Sequence, residues 1–250
     1  MLYLSLFFNL LGIVAAAAFV HRKGGWDYLK RKLGTRDRAL ERFEDAYHRT
    51  RVELIRAFPP GPGDLVLLGD SLTDGGPWPL LLPGVPLRNQ GIAGDTTGGV
   101  LARLDAVGRP GTVAVLVGIN DLNQGRSPAA VLADLARILA GLQAPRVIVQ
   151  ALLPIDHAVW GMPVQQAVLE TNRGLAALAR ERGLEWLDLH ALFLRDGRLD
   201  PDCTHDGLHL NAAGYQRWAE ALGLKVRDHA AQEVAVDQEQ HVVGGEGQPL

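Results

Sequence analysis

The stretch LVLLGDSLTDGG, residues 65–76, decides the fold of this chain. Its first four residues form a short apolar run of leucine and valine, which is typical of a strand buried in a sheet. Gly69 ends the run, and Asp70, Ser71 and a glycine-containing turn follow at once. The stretch therefore predicts a buried strand that leads directly into a polar loop.

Apolar runs and helical patterns alternate along the chain after this stretch. Strands are predicted at residues 65–68, 113–117, 147–150 and 184–187, with a weaker one at 85–89. Helices are predicted at residues 97–107, 128–142, 164–182 and 212–222. Right-handed strand–helix–strand units produce this alternation and build a parallel sheet between layers of helices. We therefore expect an α/β fold with its ligand site at the carboxyl ends of the strands.

The first twenty residues, MLYLSLFFNLLGIVAAAAFV, contain no charged side chain. An apolar helix of that length is enough to cross the hydrocarbon layer of a bilayer, so residues 1–20 predict a membrane anchor. A cleaved secretory signal is the main alternative, although a signal usually has a basic segment before a shorter apolar run. A buried core helix ranks last, because it would have to hide apolar surface on all sides.

Composition and charge narrow the classes of protein. The chain has 250 residues, 47% hydrophobic and 21% charged, which is typical of a globular protein with one substantial core. Its single cysteine, Cys203, excludes an intramolecular disulfide. Residues 21–56 carry eleven Lys or Arg against six Asp or Glu. Such a basic flank after a membrane span weakly favours a cytoplasmic domain, and without a nucleic-acid motif we expect no nucleic-acid partner.

Residues 21–60 are predicted to form a basic juxtamembrane segment and a lead-in helix. Leu40, Phe43, Tyr47, Leu54 and Phe58 fall on one helical stripe, which we expect to pack on the following domain. The PPGPG sequence at residues 59–63 stops any helix. The domain is therefore expected over residues 61–225, and the polar residues 226–250 predict a flexible tail.

Ser71 stands where an exposed nucleophile could lie, directly after the predicted strand. A serine hydroxyl needs a base within hydrogen-bond reach and donors for the negative charge that develops on a substrate carbonyl oxygen. Gly-Asp-Ser after a strand is weak support by itself, because Asp and Ser more often cap a turn or a helix. Taken alone, the segment favours a structural role.

A possible base lies near the other end, in CTHDGLH at residues 203–209. Asp206 precedes His209 by three positions, so one loop can bring the carboxylate to an imidazole nitrogen and leave the other nitrogen to accept the serine proton. Asp206 could instead cap the turn, and His205 with His209 could ligate a metal. We do not expect a metal, because the residues lie in a predicted loop and the zinc-protease motif needs a glutamate where this chain has Asp206.

Two further glycine-rich segments supply possible donors after predicted strands, at residues 89–99 and 115–125. A glycine amide can approach a substrate oxygen closely, and an asparagine amide is a neutral donor. Gly94 and Asn120 are the candidates. Each segment could equally shape a turn or cap a helix, through Asp95 or Thr96 in the first and Asn120 with Asp121 in the second.

Together, four segments resemble the blocks of the SGNH hydrolases, also called the GDSL esterase/lipase family. The similar segments are GDSLTDGG with Ser71, IAGDTT with Gly94, GIND with Asn120, and DGLH with Asp206 and His209. The resemblance extends from residue 65 to about residue 222, and the joint occurrence of the blocks is far more specific than any one of them.

The resemblance implies a three-layer α/β/α sandwich with a flavodoxin-like, five-stranded parallel sheet. It also implies ester hydrolysis through an acyl-enzyme, without metal or cofactor. Ser71 would be the nucleophile, with His209 as base and Asp206 orienting it. The N–H groups of Ser71 and Gly94 and the side-chain amide of Asn120 would form the oxyanion hole.

The substrate is left open by the resemblance, since similar proteins act on lysophospholipids, acetylated sugars, thioesters and short acyl esters. Trp78 and Trp160 could cover an acyl chain or stack on a sugar, although packing is the more common role. Asn89 matches the RNQGIAGD form of the second block and is expected to hold its loop. The alternative function is a membrane-tethered module that binds saccharide or lipid with little turnover.

Overall fold

The computed structural model describes residues 38–226. The predicted anchor over residues 1–20 lies outside the described residues, as do residues 227–250 of the tail predicted over residues 226–250; residue 226 is helical. Within residues 38–226, no helix combines the length and apolar character needed to span a bilayer.

The predicted lead-in helix is α1, Arg38–Ala57, and it ends just before Pro59. Of the described residues, those up to Thr50 belong to one compact unit and those from Arg51 to a second. In the second unit, Leu54 and Phe58 are 45% and 65% exposed whereas Ile55 is buried, so their predicted packing on the domain is wrong. Residues 51 and 55, one helical turn apart, make the contacts instead, since Arg51 donates to the main-chain carbonyl oxygens of Asn89 and Gly91 and Ile55 is buried.

The second unit is built from alternating strands and helices. The strands of its main sheet are β1 (Leu65–Gly69), β2 (Leu87–Gly91), β3 (Thr112–Leu116), β4 (Arg146–Gln150) and β5 (Glu185–Leu187). The helices after α1 are α2 (Ser71–Asp74), α3 (Trp78–Leu81), α4 (Thr97–Ala102), α5 (Ile119–Asn123), α6 (Pro128–Gly141), α7 (His157–Trp160), α8 (Met162–Glu181), α9 (Leu189–Phe193) and α10 (residues 212–226). A small hairpin joins β6 (Leu194–Arg195) to β7 (Arg198–Leu199).

The main sheet is parallel throughout, with the strand order β2-β1-β3-β4-β5. This is the flavodoxin-like order. The connection from β1 to β2 runs toward one edge of the sheet, and the later connections run toward the other edge. Because all of them are right-handed, α2 and α3 lie on one face of the sheet and α4, α6 and α8 lie on the opposite face. The α/β fold and three-layer sandwich predicted from the sequence are confirmed.

Of the element boundaries that differ from prediction, two have clear local reasons. β2 begins at Leu87 rather than residue 85, because Pro86 has no N–H to donate to a neighbouring strand. The helix predicted over residues 97–107 ends at Ala102 and is followed by a 3-10 turn, Leu104–Val107. Between them the buried Arg103 forms an ion pair with Asp95 at 2.8 Å and donates to Gly69 O.

An aromatic cluster packs between the sheet and the helices on the α3 side. Trp78 meets Trp218 of α10 edge to face, with ring centroids 4.8 Å apart, and Tyr215 lies beside both. Trp78 is fully buried, so of its two suggested roles the structure supports packing and contradicts contact with substrate.

Candidate active site

Ser71 is placed by the end of β1 and the start of α2. Asp70 caps this short helix, because its Oδ1 accepts the Leu72 N–H at 3.1 Å. Ser71 is the first helical residue, and N–H groups of a first turn have no partner within the helix. Its N–H and hydroxyl both lie at the carboxyl edge of the sheet, where the fold predicts a ligand site.

The helix that carries Ser71 is held by side chains from three other elements. They donate to the carbonyl oxygens of three consecutive residues: Tyr215 Oη to Leu72 O at 2.9 Å, Trp78 Nε1 to Thr73 O at 2.7 Å, and Asn89 Nδ2 to Asp74 O at 3.0 Å. Asn89 Oδ1 also accepts the Gly91 N–H, as expected of a loop-holding residue. The contribution of Tyr215 carried no sequence signal, because it comes from the far end of the chain.

The structure brings Ser71, His209 and Asp206 into one hydrogen-bonded chain. Ser71 Oγ lies 3.1 Å from His209 Nε2, and His209 Nδ1 lies 2.7 Å from Asp206 Oδ2. A carboxylate can only accept, so Nδ1–H donates to Asp206. In the neutral imidazole, Nε2 then carries the lone pair that accepts the Ser71 hydroxyl proton.

Asp206 serves both roles that the sequence left open. While Oδ2 accepts from the imidazole, Oδ1 accepts the N–H groups of Leu208 at 2.9 Å and His209 at 2.7 Å. Burial alone would raise the pKa of Asp206, but the hydrogen bonds from His209 and Leu208 outweigh it and hold the pKa below its usual value. The Asp206 and His209 side chains are 48% and 45% exposed, so the site is open to substrate.

The loop that carries Asp206 and His209 is fixed by specific contacts. Gly207 adopts a φ of +78°, and a side chain there would meet Asp156 Cβ at 2.7 Å. Trp160 Nε1 donates to Asp206 O at 2.9 Å, and Thr204 Oγ1 donates to His209 O at 2.7 Å. The two histidines of the metal alternative, His205 and His209, lie in this loop rather than on one face of a helix.

Gly94 and Asn120 follow β2 and β3, the two strands that flank β1. Gly94 lies in a turn closed by the Asp95 N–H to Ile92 O at 3.1 Å, and its φ of +79° favours glycine. Asn120 Nδ2 donates to Asp95 O at 2.8 Å. A side-chain amide has two N–H bonds, so one is left for a ligand. The strand order therefore places the two candidate donors on opposite sides of Ser71.

Asp70, which lies directly before the serine and caps its helix, also has an unusual environment. Asp70 is fully buried, and burial raises its pKa from 3.8 to about 7, with smaller contributions in the same direction from Asp95 and Asp121. Its Oδ2 bonds to none of the residues that the structure describes. In the sequence, Asp70 was visible only as part of the Gly-Asp-Ser pattern, since burial depends on the packing of distant segments.

A narrow apolar pocket opens beside Asn120 and Leu208, the neighbour of His209. It has free space for about one water molecule. The remaining lining side chains are those of Ile119, Asn123, Ile155, Trp160 and Val164. Trp160 therefore lies at the site, as contact with an acyl chain or a sugar would require.

A family model described as the GDSL-like lipase/acylhydrolase family matches residues 67–217. This chain belongs to the GDSL-like lipase/acylhydrolase family. Its membership makes it a carboxylic ester hydrolase, and both the family and the enzyme class predicted from the sequence are confirmed. No curated protein matched the sequence.

Solved structures similar to this family member share its fold. A Streptococcus pneumoniae protein has a TM-score of 0.66 and 23% identity over 74% of this chain and 94% of its own. A GDSL-like lipase from Bacteroides thetaiotaomicron has a TM-score of 0.61 and 19% identity, covering 74% and 98%. A catalytic mutant of an acetylxylan esterase from Geobacillus stearothermophilus has a TM-score of 0.54 and 19% identity, covering 66% and 94%.

Proposed function

We propose that this GDSL-family enzyme hydrolyses acyl esters through a covalent acyl-enzyme on Ser71. The observation that carries the proposal is the hydrogen-bonded chain from Ser71 Oγ through His209 to Asp206. Nε2 of His209 takes the hydroxyl proton as Oγ attacks the substrate carbonyl carbon, and the Asp206 carboxylate stabilises the imidazolium that forms.

The negative charge on the carbonyl oxygen is received by the Ser71 N–H, the Gly94 N–H and the Asn120 amide. Donors that are already oriented stabilise this charge in the transition state without reorganising. The tetrahedral intermediate collapses, the C–O bond to the alcohol breaks, and His209 returns the proton to the leaving oxygen. Water, activated by the same imidazole, then hydrolyses the acyl-enzyme and regenerates Ser71.

The substrate is proposed to carry a short acyl group. The apolar pocket beside Asn120 suits an acyl chain, and its small free volume favours acetyl over the long chains of lysophospholipids. The exposed Asp206 and His209 leave the alcohol side open, which supports larger alcohols such as sugars. Among the expected substrate classes, acetylated sugars and short acyl esters or thioesters therefore fit best.

Substitution of the nucleophile and base tests the reaction. With an activated acetyl ester, we expect Ser71→Ala and His209→Ala each to lower kcat by at least about 10⁴-fold, because neither residue works without the other. His205→Ala, in the same loop, is the matched control and should keep wild-type activity. A fully active Ser71→Ala enzyme would refute the proposal. Tight saccharide or lipid binding without turnover across a broad ester panel would favour the binding module instead.

We also propose that residues 1–20 anchor the enzyme in a membrane, with the domain on the cytoplasmic face. The proposal is supported by the uncharged apolar stretch and by the basic residues that follow it.

A further inference from the structure

Arg51 of α1 lies before the segment that matches the family, yet it reaches the edge of the active site. Its Nη2 donates to Gly91 O at 2.7 Å, at the end of β2, and to Asn89 O at 3.2 Å, in the middle of that strand. The same nitrogen lies 3.1 Å from Asp74 Oδ1. The Arg51 and Asp74 side chains are only 22% and 11% exposed, so water screens this ion pair weakly.

Asp74 connects the nucleophile to the loop that follows β2. It is the last residue of α2, the helix that begins at Ser71. Its Oδ2 accepts the Ala93 N–H at 2.9 Å, and Ala93 directly precedes Gly94. The Asp74 carboxylate therefore accepts a hydrogen bond through one oxygen from the loop that carries Gly94. Through its other oxygen it pairs with Arg51.

We propose that Arg51 is a positioning residue, which sets the distance between Ser71 and the Gly94 N–H through Asp74 and the end of β2. The inference rests on the proposed function of Ser71 and Gly94. Charge-assisted hydrogen bonds are shorter and stronger than neutral ones. The guanidinium of Arg51 bonds both to the Asp74 carboxylate and to the carbonyl oxygens of β2, so it restricts the loop after β2 through both contacts.

The effect of Arg51 on kcat and KM depends on the stage of the reaction at which the oxyanion forms. Negative charge on the carbonyl oxygen is fully developed only near the transition state, so a displaced donor costs transition-state stabilisation and leaves substrate binding nearly intact. Loss of Arg51 should therefore lower kcat and leave KM almost unchanged.

The test uses the full chain with Arg51→Met, Arg51→Lys and a matched control, Arg56→Met. Arg56 lies on the same helix and pairs with Asp105 at 3.3 Å, but both side chains are exposed. We expect Arg51→Met to lower kcat for an acetyl ester by about 10- to 100-fold, with KM within about threefold. Arg51→Lys should recover part of the loss, since lysine keeps the charge but lacks the planar guanidinium. Arg56→Met should stay within about twofold of wild type.

A second readout measures the oxyanion hole directly. A fluorophosphonate forms a tetrahedral adduct on a reactive serine with an oxygen in the same position, so its labelling rate should fall in Arg51→Met and hold in Arg56→Met. A folded Arg51→Met with wild-type kcat and labelling rate would overturn the inference. An equal loss in Arg56→Met would also overturn it, because docking of α1 would then be the cause.

Asp74→Asn keeps the test decisive if Arg51→Met fails to fold. It retains an acceptor for the Ala93 N–H but removes the charge that pairs with Arg51, so the same kcat-selective loss is expected, and unchanged kcat would overturn the inference. In a folded double variant the two losses should not add, because both act through one contact. Failure of the proposed function is distinguishable, since wild type itself would then neither hydrolyse the ester nor be labelled at Ser71.

Discussion

At the scale of single residues, Asp206 and Asp70 show how environment separates two carboxylates of one site. Asp206 is half exposed and accepts hydrogen bonds on both oxygens, which lower its pKa despite partial burial. Asp70 is fully buried with one oxygen bonded to the Leu72 N–H, and its pKa rises to about 7. Asp206 therefore stays ionised through the neutral range, whereas Asp70 changes charge within it.

The titration of Asp70 predicts a pH-dependent stability. Its pKa is raised from 3.8 to about 7 on folding, so the folded protein retains a proton that the unfolded chain releases. Stability from this group is therefore lost as pH rises from about 4 to about 7. Asp70→Asn removes the titration, and near pH 8 we expect it to be more stable than wild type by up to about 4 kcal/mol.

Urea unfolding of both proteins between about pH 3 and pH 8 measures this difference. The advantage of Asp70→Asn should vanish toward about pH 3, below the pKa of 3.8 of the unfolded chain, where Asp70 is protonated in both states. A constant difference across the range would contradict the assigned burial effect, because other titrating groups are common to both proteins.

At the scale of elements, the strand order creates the site. β2 and β3 both pair with β1, so the loops that carry Gly94 and Asn120 emerge next to Ser71. The proposed acyl pocket is lined by Ile119 of α5 and Val164 of α8. Changes on these helices should therefore alter which acyl group is accepted and leave the hydrogen-bonded chain of Ser71 intact.

Val164→Ala tests the pocket at this scale. Removing two methyl groups from the lining widens the pocket while alanine preserves the helix. We expect the ratio of kcat/KM for a butyryl ester to that for an acetyl ester to rise by about tenfold. Val159→Ala, an exposed valine of α7, is the control and should leave the ratio unchanged. An unaltered ratio in Val164→Ala would place acyl binding elsewhere.

At the scale of the whole molecule, the proposed reaction and the proposed membrane attachment lie on separate parts of the chain. Every residue proposed for the reaction, including Arg51, lies in the compact unit that starts at Arg51. The proposed anchor is confined to residues 1–20. Removal of the anchor should therefore change where the enzyme is found and leave its turnover of a soluble ester unchanged.

Cell fractionation tests this separation. Because an apolar span of this length inserts stably in a bilayer, the full chain is expected in the membrane fraction after an alkaline wash, and a chain starting at residue 21 in the soluble fraction. A reporter fused after Leu250 should be active on the cytoplasmic side. Recovery of the full chain as soluble protein, or cleavage near residue 20, would contradict the anchor.

The sequence alone determined the order of the five main strands and of four helices between them and after them, the family, and the candidate residues Ser71, Asp206 and His209. These follow from local pattern, since an apolar run next to glycine predicts a strand end and each block is a few residues long. The Asp206–His209 contact was predictable for the same reason, because its partners are three positions apart. The exposure of Leu54 and Phe58 was not, because they belong to an apolar stripe, whereas Ile55 is buried and Arg51 bonds to Gly91 O.

Only the tertiary structure decided the contacts that join distant segments and the environments they create. Ser71 and His209 meet across 138 positions of the chain, and Tyr215 reaches the carbonyl oxygen of Leu72 from α10. The raised pKa of Asp70 and the bridge from Arg51 through Asp74 to Ala93 likewise depend on what packs around each group. Desolvation and hydrogen bonding at a residue are set by its neighbours in space, and a linear pattern does not contain them.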